Sequence, residues 1–91
     1  MPAHPRNLIG PQLRRFRNER KLSQAALAEH CQRKGWDAGR DIIKHIEAQV
    51  RAVRDAELVL LAAALDIAPV DLLPGGPEGE KLARAMLACK G

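Results

Sequence analysis

A chain of 91 residues with 15 Lys/Arg, 11 Asp/Glu and a formal charge of +4 has the size of one compact domain, and a second is not expected. Leu, Ala and Ile dominate an apolar content of 46% while aromatics reach only 2%, which favours helices over strands and makes all-α the expected class. Cys31 and Cys89 lack any C-x-x-C partner and no histidine stands at ligand spacing, so no disulfide framework, metal or cofactor is expected.

No apolar run reaches the roughly 18 residues of a membrane span, and Met1-Pro2-Ala3-His4-Pro5 lacks the apolar stretch of a secretion signal. A cytoplasmic protein is expected. Charge is divided along the chain: residues 1–54 hold 12 Lys/Arg against 5 Asp/Glu, so +7, and residues 55–91 hold 3 against 6, so −3. A basic half on an acidic half suits one face meeting a polyanion, although solvated arginines produce the same sum.

In chain order, residues 1–7 read as a flexible N-terminal tail, with Asn7 able to cap the first helix. That helix is predicted from about Leu8 to Arg20, with Ile9, Leu13 and Phe16 on one face and Pro11 tolerated in the first turn. Ser23 is a good N-cap for a second helix from Gln24 to about Lys34, whose inner stripe is Leu27, Ala28 and Cys31; Gly35 ends it. A third helix starts at Asp37 or Gly39 and runs to about Ala48, turning Ile43 and Ile46 inward. A fourth spans Asp55 to Leu65, with Leu58, Leu61, Ala62 and Leu65 at i, i+3, i+4 and i+7. Pro69 opens a short fifth helix ending at Leu73. Residues 74–79 read as a Pro/Gly linker, and residues 80–91 as a C-terminal helix carrying Leu82, Met86 and Cys89. That helix has three open roles: pairing two chains, binding a partner, or folding back on the core.

The stretches Ile9-Gly10-Pro11-Gln12-Leu13-Arg14-Arg15-Phe16-Arg17, Leu22-Ser23-Gln24-Ala25-Ala26-Leu27-Ala28, Ile43-Lys44-His45-Ile46-Glu47 and Leu58 to Leu73 succeed one another in a telling order. Together they resemble the lambda-repressor and Cro-like (XRE-type) helix-turn-helix family over residues 8–73. The resemblance implies a five-helix DNA-binding domain with a short C-terminal helix after it. It implies a transcriptional regulator, a repressor by preference, acting as a homodimer on double-stranded DNA. The second helix would lie across the DNA backbone and the third would enter the major groove.

By that resemblance, Gln24 would meet a phosphate at the positive end of the second helix. Gly39, Arg40, Asp41, Lys44 and His45 would form the outward face of the third helix, with Arg40 the residue for a bidentate contact to guanine. Lys44 and His45 would read bases, touch phosphate or stay solvated. Arg51 and Arg54 would hold the DNA backbone after the third helix, with Arg14 and Arg15 as further cations. Arg17 and Glu47 would pair, partly buried, between the first and third helices.

Several features depart from the family's pattern. About five extra residues between Cys31 and Ile43, placed within Gln32 through Asp37, lengthen the approach to the third helix, with Trp36 expected over the junction. Gly39 stands where a Ser or Thr usually caps, and Asp41 brings a negative charge that would accept from cytosine but repel phosphate. Gln49 replaces a frequent glycine, so the third helix is expected to lack a left-handed cap. The alternative function is a protein-interaction module of this fold, antitoxin-like or phage-derived, without base readout. An enzyme is not expected, because His4, His30 and His45 lack a nucleophile or acid at suggestive spacing and no glycine-rich phosphate loop is present. Nor does any stretch suggest a small-molecule effector.

Overall fold

A computed structural model describes residues 4–88, and every regular element among them is helical. The order is α1 (Gly10–Glu19), α2 (Gln24–Arg33), α3 (Arg40–Glu47), α4 (Asp55–Leu65), a 3-10 turn (Pro69–Leu72) and α5 (Gly76–Ala88). The starts obey local chemistry. Asn7 Oδ1 accepts from the Gly10 amide at 2.8 Å ahead of α1, and Ser23 accepts from Ala26 N at 3.0 Å at the head of α2. Gly39 heads α3 with no side-chain cap. The Glu57 carboxylate reaches back to the Arg54 amide at 3.0 Å to open α4, an arrangement that satisfies an otherwise unbonded N–H.

The ends are uniform. After α1, α2, α3 and α4 the chain turns through Lys21, Gly35, Gln49 and Asp66, all at positive φ. Paired 5→2 and 6→1 amide bonds close each turn, such as Gln49 N to Ile46 O and Val50 N to His45 O, both 3.0 Å. The expectation that Gln49 leaves α3 without a left-handed cap is therefore corrected: Gln49 adopts φ +62 and the double hydrogen bond forms around it. Hydrogen bonding here outweighs the crowding that normally reserves such a position for glycine.

Leu13, Leu27, Cys31, Ile43, Ile46, Leu61, Leu65 and Leu72 are fully buried and form one core with Ile9, Ala28, Ala38 and Ala62. Phe16, Ile42 and Leu58 pack at its margin. Burial pushes the Cys31 thiol up to about 11, so Cys31 acts as an apolar residue. Cys89 lies outside the described residues, as do residues 1–3. The lengthened approach to α3 is ordered: Gly35 turns the chain at φ +97, Gln32 Nε2 bonds Ala38 O at 2.7 Å, Ala38 is buried and Trp36 packs on the core.

Two boundaries differ from the sequence reading. The stretch 74–79 is not a linker throughout, because α5 already begins at Gly76 with Pro77 in its first turn, where a missing N–H breaks no bond. Nor is the tail loose to residue 7: Asn7 is buried and Arg6 N bonds Gln49 O at 2.8 Å. Among the described residues no helix is long and apolar enough to cross a membrane.

Candidate functional site

Helix α3 is two-sided. Ile43 and Ile46 are buried, Ile42 is half-buried, and Arg40, Asp41, Lys44 and His45 are exposed together with Gly39 at the cap. Positions i, i+1, i+4 and i+5 of a 3.6-residue turn share one outward side, so these four side chains form a continuous polar stripe. Arg40 Nη2 stands 3.6 Å from Asp41 Oδ1 with both side chains mostly in solvent, a contact that contributes little and exchanges readily for another partner.

Three groups fix the last turn of this helix against α1 and α2. Arg17 of α1 grips Glu47 of α3 in a bidentate pair, Nε to Oε2 at 2.6 Å and Nη2 to Oε1 at 3.0 Å, with only 12% and 5% of the side chains exposed. Its remaining Nη1 donates to Leu22 O at 2.7 Å. The bond to Glu47 raises the Arg17 pKa against the opposing desolvation. Gln24 donates Nε2 to Glu47 Oε1 at 3.1 Å. One N–H of the amide expected to point at a phosphate is thus engaged by the ion pair, because a doubly bonded carboxylate still has a lone pair to fill. Above this junction Arg14, Arg17, Gln24, Lys44, Glu47 and Ala48 line a cleft of about 240 Å³, with three cations against one carboxylate.

A strap secures the exit of α3. Asn7 Nδ2 donates to Ile46 O at 3.1 Å and to Arg51 O at 2.8 Å, and Gln49 Nε2 donates to Asn7 O at 3.0 Å. Gly10 makes this approach possible, since a Cβ there would stand 2.6 Å from Ile46 O and 2.9 Å from Glu47 O. Arg51, expected on the DNA backbone, is half-buried and paired with Glu57, Nη1 to Oε1 and Nη2 to Oε2 both at 3.0 Å. Its guanidinium also lies 6.0 Å from the Trp36 ring centroid. The same contact raises the Arg51 pKa and, with the Arg54 amide adding to it, holds the Glu57 carboxyl below its usual range. One guanidinium thereby joins the loop entering α3, the loop leaving it and α4. Arg54 stays exposed.

Glu57 is the legible half of its pair: an acid three residues after a helix start is a capping signature. The Asn7–Gln49 strap has no such signal, because its partners are 42 residues apart and both are common in loops. The described residues contain no group of three His, Cys, Asp or Glu able to hold a metal.

No family model matches the chain, and no curated protein does. A solved structure is similar. It is the crystal structure of a hypothetical transcription factor, NHTF, from Neisseria, with a TM-score of 0.68 and 27% identity over 86% of this chain and 84% of that one. The likeness therefore spans most of the chain.

Proposed function

We propose that the protein is a DNA-binding transcriptional regulator of the lambda-repressor/Cro-like helix-turn-helix type, a sequence-specific repressor that inserts α3 into the major groove of double-stranded DNA. The observation that carries this proposal is the solvent-facing stripe Arg40, Asp41, Lys44 and His45 on a helix whose C-terminal turn is anchored twice, through Glu47 and through Ile46 O. A rigidly held helix can present side chains to base edges without the entropy of ordering its own backbone on contact. Similarity to a protein described as a transcription factor adds to it. Arg40 would exchange Asp41 for a guanine edge, and Asp41 would then accept from a neighbouring cytosine amine. Lys44, Arg14 and Arg54 would meet phosphates, and Gln24 would act by orienting Glu47. The protein would work in the cytoplasm as a homodimer on two half-sites about one helical turn apart.

Selection of bound sequences from a random DNA pool at low salt tests this. Enrichment of one motif is expected, with affinity falling steeply as salt rises. Arg40→Ala should cost about 1 to 3 kcal/mol at the enriched motif and far less on random DNA. A pool without any enriched motif would overturn sequence-specific binding. The second reading, an interaction module of the same fold, draws on the commitment of Gln24 and Arg51 to carboxylates within the protein; it predicts neither motif nor salt slope.

A further inference from the structure

A second concave surface lies away from α3. The C-terminal ends of α1, α2 and α4 converge on a cleft of about 630 Å³ floored by Leu22, Ala63 and Ala64 and rimmed by Arg20, Arg33 and Lys34. It shares no lining residue with α3 or with the cleft beside Lys44. Cations at helix C-termini complement the helix dipole, which explains their sign but not the apolar floor they surround.

Directly beyond Asp66, at the edge of this cleft, the chain exposes Ala68, Pro69, Val70 and Asp71 in succession. Val70 is 69% exposed, and Asp66 and Asp71 flank it with negative charge. An apolar knob bordered by carboxylates thus stands four residues beyond Asp66, on the rim of an apolar-floored cleft where three cations outnumber that one carboxylate. The carboxylates beside the knob and the cations beside the cleft are opposite in sign. The two are adjacent, so one chain's knob and cleft can meet another's cleft and knob about a two-fold axis, a contact that closes on itself.

We propose that this surface is the homodimer interface, with each copy's Val70 segment seated in the Arg20–Arg33–Lys34 cleft of the other. The dimer itself belongs to the functional reading above; the interface does not depend on DNA. Sedimentation of the full chain without DNA, across the micromolar range, tests it directly. The chain of 10.0 kDa should sediment at twice that mass, with association weakening as salt rises. The double variants Arg33→Glu/Lys34→Glu and Asp66→Lys/Asp71→Lys should each lose at least tenfold in affinity, because like charges then face each other. Mixed in equal amounts, the two should recover the wild-type affinity, since both contacts regain opposite signs.

A monomeric wild type at 100 micromolar (roughly the weak end of specific association) would overturn the interface. So would wild-type association of both double variants, failure of the mixture to recover, or loss of the dimer on Leu87→Glu alone, which would assign pairing to α5. Thermal melting controls for folding; should a charge variant fail to fold, Val70→Ser, at an exposed site, decides by weakening association several-fold or leaving it unchanged. Failed motif selection with an intact dimer would strike the DNA reading alone.

Discussion

The two sides of α3 hold similar residue types in opposite circumstances. On the inner side, Arg17 and Arg51 each have two nitrogens on one carboxylate, and every donor–acceptor distance falls between 2.6 and 3.0 Å. On the outer side, Arg40 has one long contact to its neighbour and otherwise faces water. Arginine is thus both the mortar of this domain and its proposed reading residue. What separates the roles is burial of the partner: Glu47 and Glu57 are largely covered, Asp41 is not. A desolvated carboxylate must keep its partner, whereas a solvated one can release it.

The largest test of this contrast is Glu47→Ala. It strands the Arg17 guanidinium among buried groups and should cost about 3 to 5 kcal/mol in urea unfolding; a loss below about 1 kcal/mol would mean that the junction is no more cohesive than a surface pair. Gly10→Ala comes next. Alanine normally strengthens a helix, but here its methyl group meets carbonyls of α3, so a loss of about 1 to 3 kcal/mol is expected, opposite in sign to helix propensity. A gain would show that α1 can back away from the strap freely.

Glu57 offers a pH test of the exit side. Its carboxyl is depressed in the folded state, so its stabilising effect is complete above the unfolded value, about 4.3, and fades as pH falls through the lower folded value. The advantage of wild type over Glu57→Gln, on the order of 1 kcal/mol for a partly exposed pair, should therefore be constant above about pH 6 and shrink steadily below pH 4.5. An advantage unchanged down to pH 3 would remove the ion pair as its source. Arg40→Ala and Lys44→Ala stand at the small end, within about 0.5 kcal/mol of wild-type melting stability, as surface changes usually are. A larger loss would make the outward stripe part of the scaffold.

Periodicity makes the core readable: Leu27, Ala28, Cys31, Ile43, Ile46, Leu61, Ala62 and Leu65 all lie inside because a 3.6-residue repeat leaves few alternatives. Ser23 and Gly35 mark real helix ends for equally local reasons. Pairing at a distance is what stays hidden. Gln24 and Arg51 are polar residues at helix edges, and only three-dimensional proximity tells whether such a group faces a carboxylate or the solvent. Helix α5 reads too short in the sequence because Pro77 and the glycines around it signal a break, yet proline inside the first turn obstructs nothing.

The helix ends carry a further consequence for thermal headroom. Only one of the four left-handed closures, at Gly35, uses the residue that adopts that backbone without crowding. Lys21, Gln49 and Asp66 each bear a penalty of roughly 1 to 2 kcal/mol, set against a folding free energy of roughly 5 to 15 kcal/mol for a whole domain. The domain is accordingly less stable than its packing would permit, and the shortfall is localised. At Gln49 the side chain offsets the strain by holding the Asn7 carbonyl. Lys21 is exposed, so its strain serves no buried contact, and the resistance of this fold to heat is adjustable there without altering any residue of α3.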